Sequence, residues 1–109
     1  VVIGKHVTIE RGAVIKGNVK IGDHTMIGAY ASITTTPTGY IEIGNFCHIN
    51  NFNIIGSCKR VIIKDYALFA VGVKITDSSR DYSSLKLPTK KAPIISEDIV
   101  IEENVWCGF

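Results

Sequence analysis

The sequence lacks any apolar run near the roughly 20 residues that a membrane-spanning helix needs, and its net charge is only +2, spread along the chain. These absences argue against a membrane span and against a nucleic-acid-binding surface, which needs clustered lysine and arginine. Cysteine is also scarce, since three residues without paired spacing fit a reducing compartment better than a disulfide scaffold. We therefore expect a cytoplasmic protein that neither spans a membrane nor binds nucleic acid.

The composition is that of one folded domain, because 46% of the 109 residues are hydrophobic and 20% are charged. A domain of this length buries only about two thirds of the surface that its unfolded chain exposes. Association with further copies of the chain would bury more of that surface. The length therefore favours an oligomer.

Isoleucine recurs every six residues over the first third of the chain, at Ile3, Ile9, Ile15, Ile21, Ile27 and Ile33. Small or β-branched residues follow four positions after each of the first five: Val7, Ala13, Val19, Thr25 and Ala31. Neither a helix nor a simple alternating strand has this period. The hexads predict short strands joined by corners, with one large and one small inward position in each hexad, separated by a turn.

Three hexads in each coil predict a three-sided prism of parallel strands, in which the isoleucines stack about 4.8 Å apart. The isoleucine period returns after residue 42 and again after residue 98, which gives four coils and the start of a fifth. Segments 34–42 and 77–98 interrupt the period and predict two external loops. The residues expected at corners, because they tolerate tight or left-handed turns, are Gly12, Gly17, Asn18 and Asp23.

The motifs IGDHTMIGAYASI and IEENVWCG resemble the hexapeptide-repeat acyltransferases. The resemblance implies an all-β, left-handed parallel β-helix, although parallel crossovers are right-handed in about 98% of cases. It also implies a homotrimer. Because those enzymes continue with further coils, we expect residues 1–109 to be a single β-helix domain that lacks the C-terminal coils.

The order of the segments IEIGNFCHINNFNII, IIKDYALFAVGVKIT and IVIEENVWCG resembles the galactoside, maltose and capsular-sugar O-acetyltransferases. This resemblance implies transfer of an acetyl group from acetyl-CoA, the co-substrate, to a hydroxyl of a sugar or polysaccharide precursor. In those enzymes a histidine at the start of the long loop acts as general base. Here Arg80 occupies that position, and a guanidinium has no lone pair with which to accept a proton.

The replacement at Arg80 leaves two functions open. In the first, the chain is an active enzyme whose base is His48, the histidine nearest the predicted substrate face. In the second, it is a non-catalytic trimeric scaffold or sugar-binding member of the superfamily. Arg80 itself either binds an anionic group or pairs with Asp77 or Asp81.

Further residues are predicted to bind the acceptor or the co-substrate. Asn51 matches the asparagine that contacts the acceptor sugar in the family, and the alternative is an asparagine in a left-handed corner. Trp106 and Gly108 match the segment along the CoA groove, where an indole would face the pantetheine arm or pack at the trimer boundary. The loop adds three predicted acceptor-binding residues, namely Arg80, Asp81 and Tyr82.

Other reactive side chains are predicted to have structural roles. His6 and His24 are one coil apart and should stack at one corner, but no third ligand has matching spacing, so no metal site is predicted. Cys47 and Cys107 occupy inward positions and should pack in the core. The loop lysines, which either meet the CoA phosphates or stay solvated, are Lys86, Lys90 and Lys91.

Overall fold

The computed structural model describes residues 1–80 and 94–108, which form three parallel sheets and one antiparallel hairpin. The first sheet contains β1 (Val2–Ile3), β4 (Val19–Ile21), β7 (Ile41–Ile43), β10 (Val61–Ile63) and β15 (Ile99–Ile101). The second contains β2 (Thr8–Ile9), β5 (Met26–Ile27), β8 (His48–Ile49), β11 (Leu68–Phe69) and β16 (Trp106–Cys107). The third contains β3 (Val14–Lys16), β6 (Ser32–Thr35), β9 (Ile54–Ser57) and β12 (Lys74–Thr76). The hairpin pairs β13 (Ser78–Arg80) with β14 (Ile94–Ser96).

Successive strands of the chain pass from the first sheet to the second and then to the third, so three strands complete one coil. The described residues form four complete coils and the first two strands of a fifth. This confirms the predicted all-β solenoid, with the stacked parallel coils of a left-handed β-helix. Within the same residues, the structure contains no helix long and apolar enough to cross a membrane.

The core is a column of isoleucines, as the six-residue period predicts. In the first sheet, the register places Ile3, Ile21, Ile43, Ile63 and Ile101 above one another. In the second sheet, the exposure of the inward isoleucine depends on the coil: Ile9 in the first coil is 42% exposed and Ile27 in the second coil is 0% exposed. An inner coil is covered on both sides, whereas the first coil is covered on one side only.

The first two corners of each coil turn through a residue in the left-handed region. At the first corner, between the first and second sheets, these residues are His6, His24, Phe46, Tyr66 and Asn104. At the second corner, they are Gly12, Tyr30, Phe52 and Gly72. All four residues predicted at corners lie at corners, where Gly12 and Gly17 have positive φ and Asn18 and Asp23 lie in a bend and a turn without it. Asp23 instead accepts a hydrogen bond from the Lys5 backbone N–H, 2.8 Å away.

The third corner, between the third and first sheets, has a different length in different coils. The first excursion is shorter than the predicted 34–42, because Thr34 and Thr35 pair with Gly56 and Ser57 inside the third sheet. The chain leaves the prism only between the end of β6 and the start of β7 at Ile41. The second excursion leaves after β12 and rejoins the prism at β15, and its two ends form the β13–β14 hairpin rather than loop.

Candidate functional site

The outward side chains of the second sheet form one continuous row. The paired positions along it are Thr8, Met26, His48, Leu68 and Trp106. Strands in a sheet lie about 4.8 Å apart, so His48 and Trp106, two strands apart, are about 10 Å from each other. The structure therefore brings the predicted base and a predicted co-substrate residue onto one face.

A cleft of about 350 Å³ lies where this face meets the second corner. Glu10 borders it from the first coil, Gly28 and Ala29 form its floor in the second coil, and His48 and Asn51 border it from the third. Met26 and Ile27 complete the lining. Two residues that the sequence analysis singled out separately, His48 and Asn51, thus share one cleft.

Gly28 allows the second and third coils to approach closely at the floor of the cleft. A Cβ atom at this position would lie 2.5 Å from the carbonyl carbon of Asn50 and 2.5 Å from the backbone nitrogen of Asn51. Because both are backbone atoms, any larger side chain would push the coils apart. The absence of a side chain also leaves the space between Glu10 and Asn51 open.

Asn51 connects two coils at the edge of the cleft. Its Oδ1 accepts a hydrogen bond from the Ala29 backbone N–H at 2.8 Å. Its side-chain NH₂ makes no hydrogen bond to another described residue, so two donors are free to meet a ligand. The alternative that Asn51 itself has the left-handed conformation is wrong, because Phe52 is the positive-φ residue of this corner.

His48 is partly buried in β8, between Met26 and Leu68 on the neighbouring strands. Neither imidazole nitrogen is hydrogen-bonded to another residue of the described ranges. A neutral imidazole has one nitrogen that can accept a proton, which is the chemistry of a general base. The position of His48 beside an open cleft therefore permits the role predicted for it.

Trp106 is the most exposed large hydrophobic side chain in the row, with 67% of its surface accessible. Its indole ring lies over Gly108, since a Cβ at Gly108 would be 3.1 Å from the indole Cη2. The two predicted co-substrate residues thus lie together, and the glycine allows the ring to lie flat against the backbone. The result is an exposed, flat, apolar surface on the same face as His48.

Arg80 lies at the end of β13, where its backbone pairs with Ile94. This hairpin leaves the prism at the third corner, whereas the second sheet forms the face opposite that corner in a three-sided prism. Within one chain, the structure does not bring the start of the hairpin to the cleft. Asp81 and Tyr82 lie outside the described residues, as do the loop lysines.

Asp77 anchors the start of the hairpin segment. Its carboxylate is 6% exposed and accepts hydrogen bonds from the Ser57 hydroxyl and from three backbone N–H groups, those of Cys58, Lys59 and Arg60. Burial by itself would raise the pKa of Asp77, but these four donors favour the charged form and hold the pKa below its usual value. Asp77, one of the two carboxylates predicted to pair with Arg80, therefore already accepts hydrogen bonds from four donors.

The remaining predictions for reactive side chains concern the first corner and the core. The rings of His6 and His24 stack at 4.9 Å, as predicted, and the stack continues through Phe46 to Tyr66. Cys47 is buried, and burial raises the pKa of its thiol, which donates to the Lys64 carbonyl oxygen. Among residues 1–80 and 94–108, no group of three or more His, Cys, Asp or Glu side chains could hold a metal ion.

Cys107 also points inward and packs against the core as predicted. Burial raises the pKa of its thiol. A raised pKa keeps a thiol protonated, and the thiolate is the nucleophilic form. The two inward cysteines therefore act as small core residues.

A second groove of about 250 Å³ lies beside the third corner. It is lined by threonine and serine hydroxyls, by Gly56 and by Cys58. Within residues 1–80 and 94–108, its lining contains no imidazole and no charged side chain. It therefore offers hydrogen bonds but no base, and the cleft beside His48 is the better candidate for chemistry.

Sequence reasoning missed Glu10 and Gly28 as parts of the site. A signal was present, since Glu10, Gly28 and Asn50 occupy equivalent positions in successive coils of the repeat. Aligning the coils would have shown an acidic residue and an asparagine separated by a residue without a side chain. A single hexad does not show which residues are stacked on one another in successive coils.

Comparison with known proteins gives one family match. Residues 1–35 match the family described as bacterial transferase hexapeptide (six repeats). Searches of the curated proteins and of the solved structures found no significant match. Together with the stacked parallel strands, the match supports membership of the hexapeptide-repeat superfamily.

Proposed function

We propose that the protein is an acetyl-CoA-dependent O-acetyltransferase that acts on a hydroxyl of a sugar or polysaccharide precursor. The observation that carries this proposal is the shared cleft, which places the imidazole of His48 beside the amide of Asn51 on the face that also carries Trp106. The match of residues 1–35 to a transferase family supports the same class of reaction.

In this proposal, His48 is the general base. An imidazole nitrogen accepts the proton of the acceptor hydroxyl while the NH₂ group of Asn51 donates to a neighbouring sugar oxygen and orients the ring. The cleft volume suits a ligand of monosaccharide size, and Met26 offers an apolar wall to the carbon face of a sugar. The arrangement provides a base, an orienting donor and a partly enclosed space.

The exposed indole of Trp106, lying over Gly108, fits the pantetheine arm of acetyl-CoA, because a flat apolar ring can pack along an extended chain. When bound, acetyl-CoA would supply a thioester whose carbonyl carbon forms a bond to the acceptor oxygen as the carbon–sulfur bond breaks, and the departing thiolate takes up the proton held by His48. The role of Trp106 is to hold the co-substrate beside the cleft.

The proposal includes a homotrimer. Three large apolar side chains in or beside the outward row, Met26, Leu68 and Trp106, are between 39% and 67% exposed. Contact with neighbouring copies would remove part of this surface from water. Sedimentation equilibrium should give three times the mass of the chain, and a monomer at micromolar concentration would contradict this part of the proposal.

The test is acetyl transfer from acetyl-CoA to a panel of sugars, measured by release of free thiol. His48→Ala should reduce kcat by about 10²-fold or more, since general-base catalysis contributes about that much. His6→Ala is the matched control, because His6 lies at the first corner and does not line the cleft. Equal loss in both variants, or none in His48→Ala, would remove His48 from the mechanism.

The same assay separates the enzyme from the non-catalytic alternative. If the native protein binds sugars without acetylating them, the chain is a scaffold or sugar-binding module in which Arg80 replaces the base. In that case Arg80→His should raise transfer to a sugar acceptor above background. Turnover by the native protein that depends on His48 would exclude this alternative.

A further inference from the structure

We propose that the cleft beside His48 selects an acceptor that carries a positively charged amino group, such as a free hexosamine, and that Glu10 binds this group. The inference deepens the function proposed above and rests on it for the reaction, but not for the binding. It assigns to Glu10 a role in specificity rather than in proton transfer.

The charge of the cleft supports this selection. Among the described residues that line the cleft, Glu10 is the only one that is charged when His48 is neutral. No lysine or arginine of the described residues forms an ion pair with its carboxylate, in contrast to Glu42 and Glu102, which lie within 4.0 Å of Lys20 and Lys64. The cleft therefore presents an uncompensated negative charge to whatever enters it. Such a charge attracts an ammonium group and repels a carboxylate or a phosphate.

The repeat geometry places Glu10 and His48 on opposite sides of the cleft. Glu10 is two coils below Asn50, which lies two residues after His48 along the chain. Two coils of about 4.8 Å and two residues of about 3.3 Å separate the two α-carbons by roughly 12 Å. This separation accommodates a monosaccharide that forms a hydrogen bond of about 2.9 Å on each side. Glu10 is thus placed to contact the ligand rather than to orient His48.

The floor of the cleft makes this contact possible. Of the described residues that line the cleft, Gly28 and Ala29 lie between Glu10 and Asn51, and their small size leaves the carboxylate accessible. Gly28 cannot be larger, because its neighbouring coil is within 2.5 Å of a built Cβ. A hydrogen bond between a carboxylate and an ammonium is stronger than one between two neutral groups. Glu10 should therefore distinguish an amino group from a hydroxyl at the same position of the sugar.

The experiment compares glucosamine, glucose and glucuronate as acceptors with saturating acetyl-CoA, at a pH at which the amino group of glucosamine is protonated. For the native protein, we expect kcat/KM for glucosamine to exceed that for glucose by about two- to fivefold, which is what an exposed charge pair provides. Glucuronate should be the poorest acceptor. Equal values for glucosamine and glucose would overturn the inference.

Glu10→Gln should remove the preference, because it raises KM for glucosamine more than KM for glucose. Glu10→Lys should reverse the order and favour glucuronate. The matched control is Glu103→Gln, which removes an exposed carboxylate outside the cleft and should leave the preference intact. A uniform change in KM for all three sugars in Glu10→Gln would indicate a structural role and contradict the inference.

Two readouts separate failure of this inference from failure of the proposed function. Calorimetric binding of each sugar without acetyl-CoA tests the charge preference alone, and a preference for glucosamine that Glu10→Gln abolishes would support the inference even without turnover. The product of glucosamine acetylation must be an ester, which hydroxylamine cleaves under mild conditions. An amide product would show that the amino group is the reacting group and would overturn its proposed binding by Glu10.

Discussion

The second and third corners of the prism both connect six-residue repeats, but they differ in length and in hydrogen bonding. The second corner has one length in all coils and turns through one left-handed residue, such as Phe52. The third corner has a different length in different coils and is held by side-chain hydrogen bonds, above all those of Asp77. The regular corner determines how coils stack, whereas the irregular corner can accommodate insertions because its length is not determined by the stack.

The comparison also shows where chemistry can be located on a solenoid. The interrupted repeat at the third corner suggests that the inserted segment carries the function. The described residues also bring His48 and Asn51 together at the regular second corner, where Gly28 and Ala29 leave a gap in the row of side chains. A cleft can thus arise within the regular repeat wherever small residues in one coil lie between larger residues in the coils beside it.

The largest effect on stability should come from removing the Asp77 carboxylate, the hydrogen-bond acceptor at the third corner. Asp77→Ala leaves four donors without their partner, of which the Ser57 hydroxyl is buried. We expect the free energy of unfolding to fall by about 3 kcal/mol or more, measured by urea denaturation. Asp65→Ala, which removes one hydrogen bond to the Asn45 backbone N–H at the first corner, should lower it by only about 1 kcal/mol. Equal losses would mean that the two kinds of corner are not held differently.

Crowding the second corner should have the next largest effect. Gly28→Ala places a methyl group against the backbone of the next coil and should lower the unfolding free energy by about 1–3 kcal/mol. Gly56→Ala, in β9, is the control, because no heavy atom of the described residues lies within 4 Å of a Cβ built there. This control should be neutral or stabilising by up to about 1 kcal/mol. Equal stability of the two variants would show that close contact between coils does not restrict the size of the side chain at position 28.

At the first corner, removing a stacked ring should have a moderate effect. Phe46 contacts two aromatic rings, so Phe46→Ala should lower the unfolding free energy by about 1–2 kcal/mol. Phe52, at the second corner, stacks on one ring of the described residues, so Phe52→Ala should lower it by less. Because the φ of Phe46 is 56°, Phe46→Gly should be more stable than Phe46→Ala by about 1 kcal/mol. An alanine variant more stable than the glycine variant would show that the left-handed backbone carries no strain.

The smallest expected effect is the loss of stability at acidic pH. The folded pKa of Asp77 lies below its unfolded value, so its stabilising contribution is complete above about pH 4 and is lost as the pH falls through the folded pKa. The unfolding free energies of the native protein and of Asp77→Asn, measured from pH 5 to pH 2, should therefore converge on acidification. Parallel curves would contradict a role for this carboxylate in the pH dependence.

Much of the fold follows from residue identity alone. The six-residue spacing of isoleucine identifies the inward positions, and the stacking of His6 on His24 follows from their separation by one coil. The bulky residues at the left-handed positions, such as Phe46 and Tyr66, could not be foreseen, because intrinsic backbone preference favours glycine or asparagine there. Ring stacking between coils offsets that preference, and it exists only when the coils are assembled.

The sequence by itself determined the coil period and the core column, because these depend on spacing along the chain, and it supplied the residue types on which the proposed function rests. Only the tertiary structure decided which of those residues meet. Glu10, Gly28 and His48 belong to three different coils, and their proximity results from stacking strands about 4.8 Å apart. A contact between coils depends on register and on corner length, so it appears only once the prism is built.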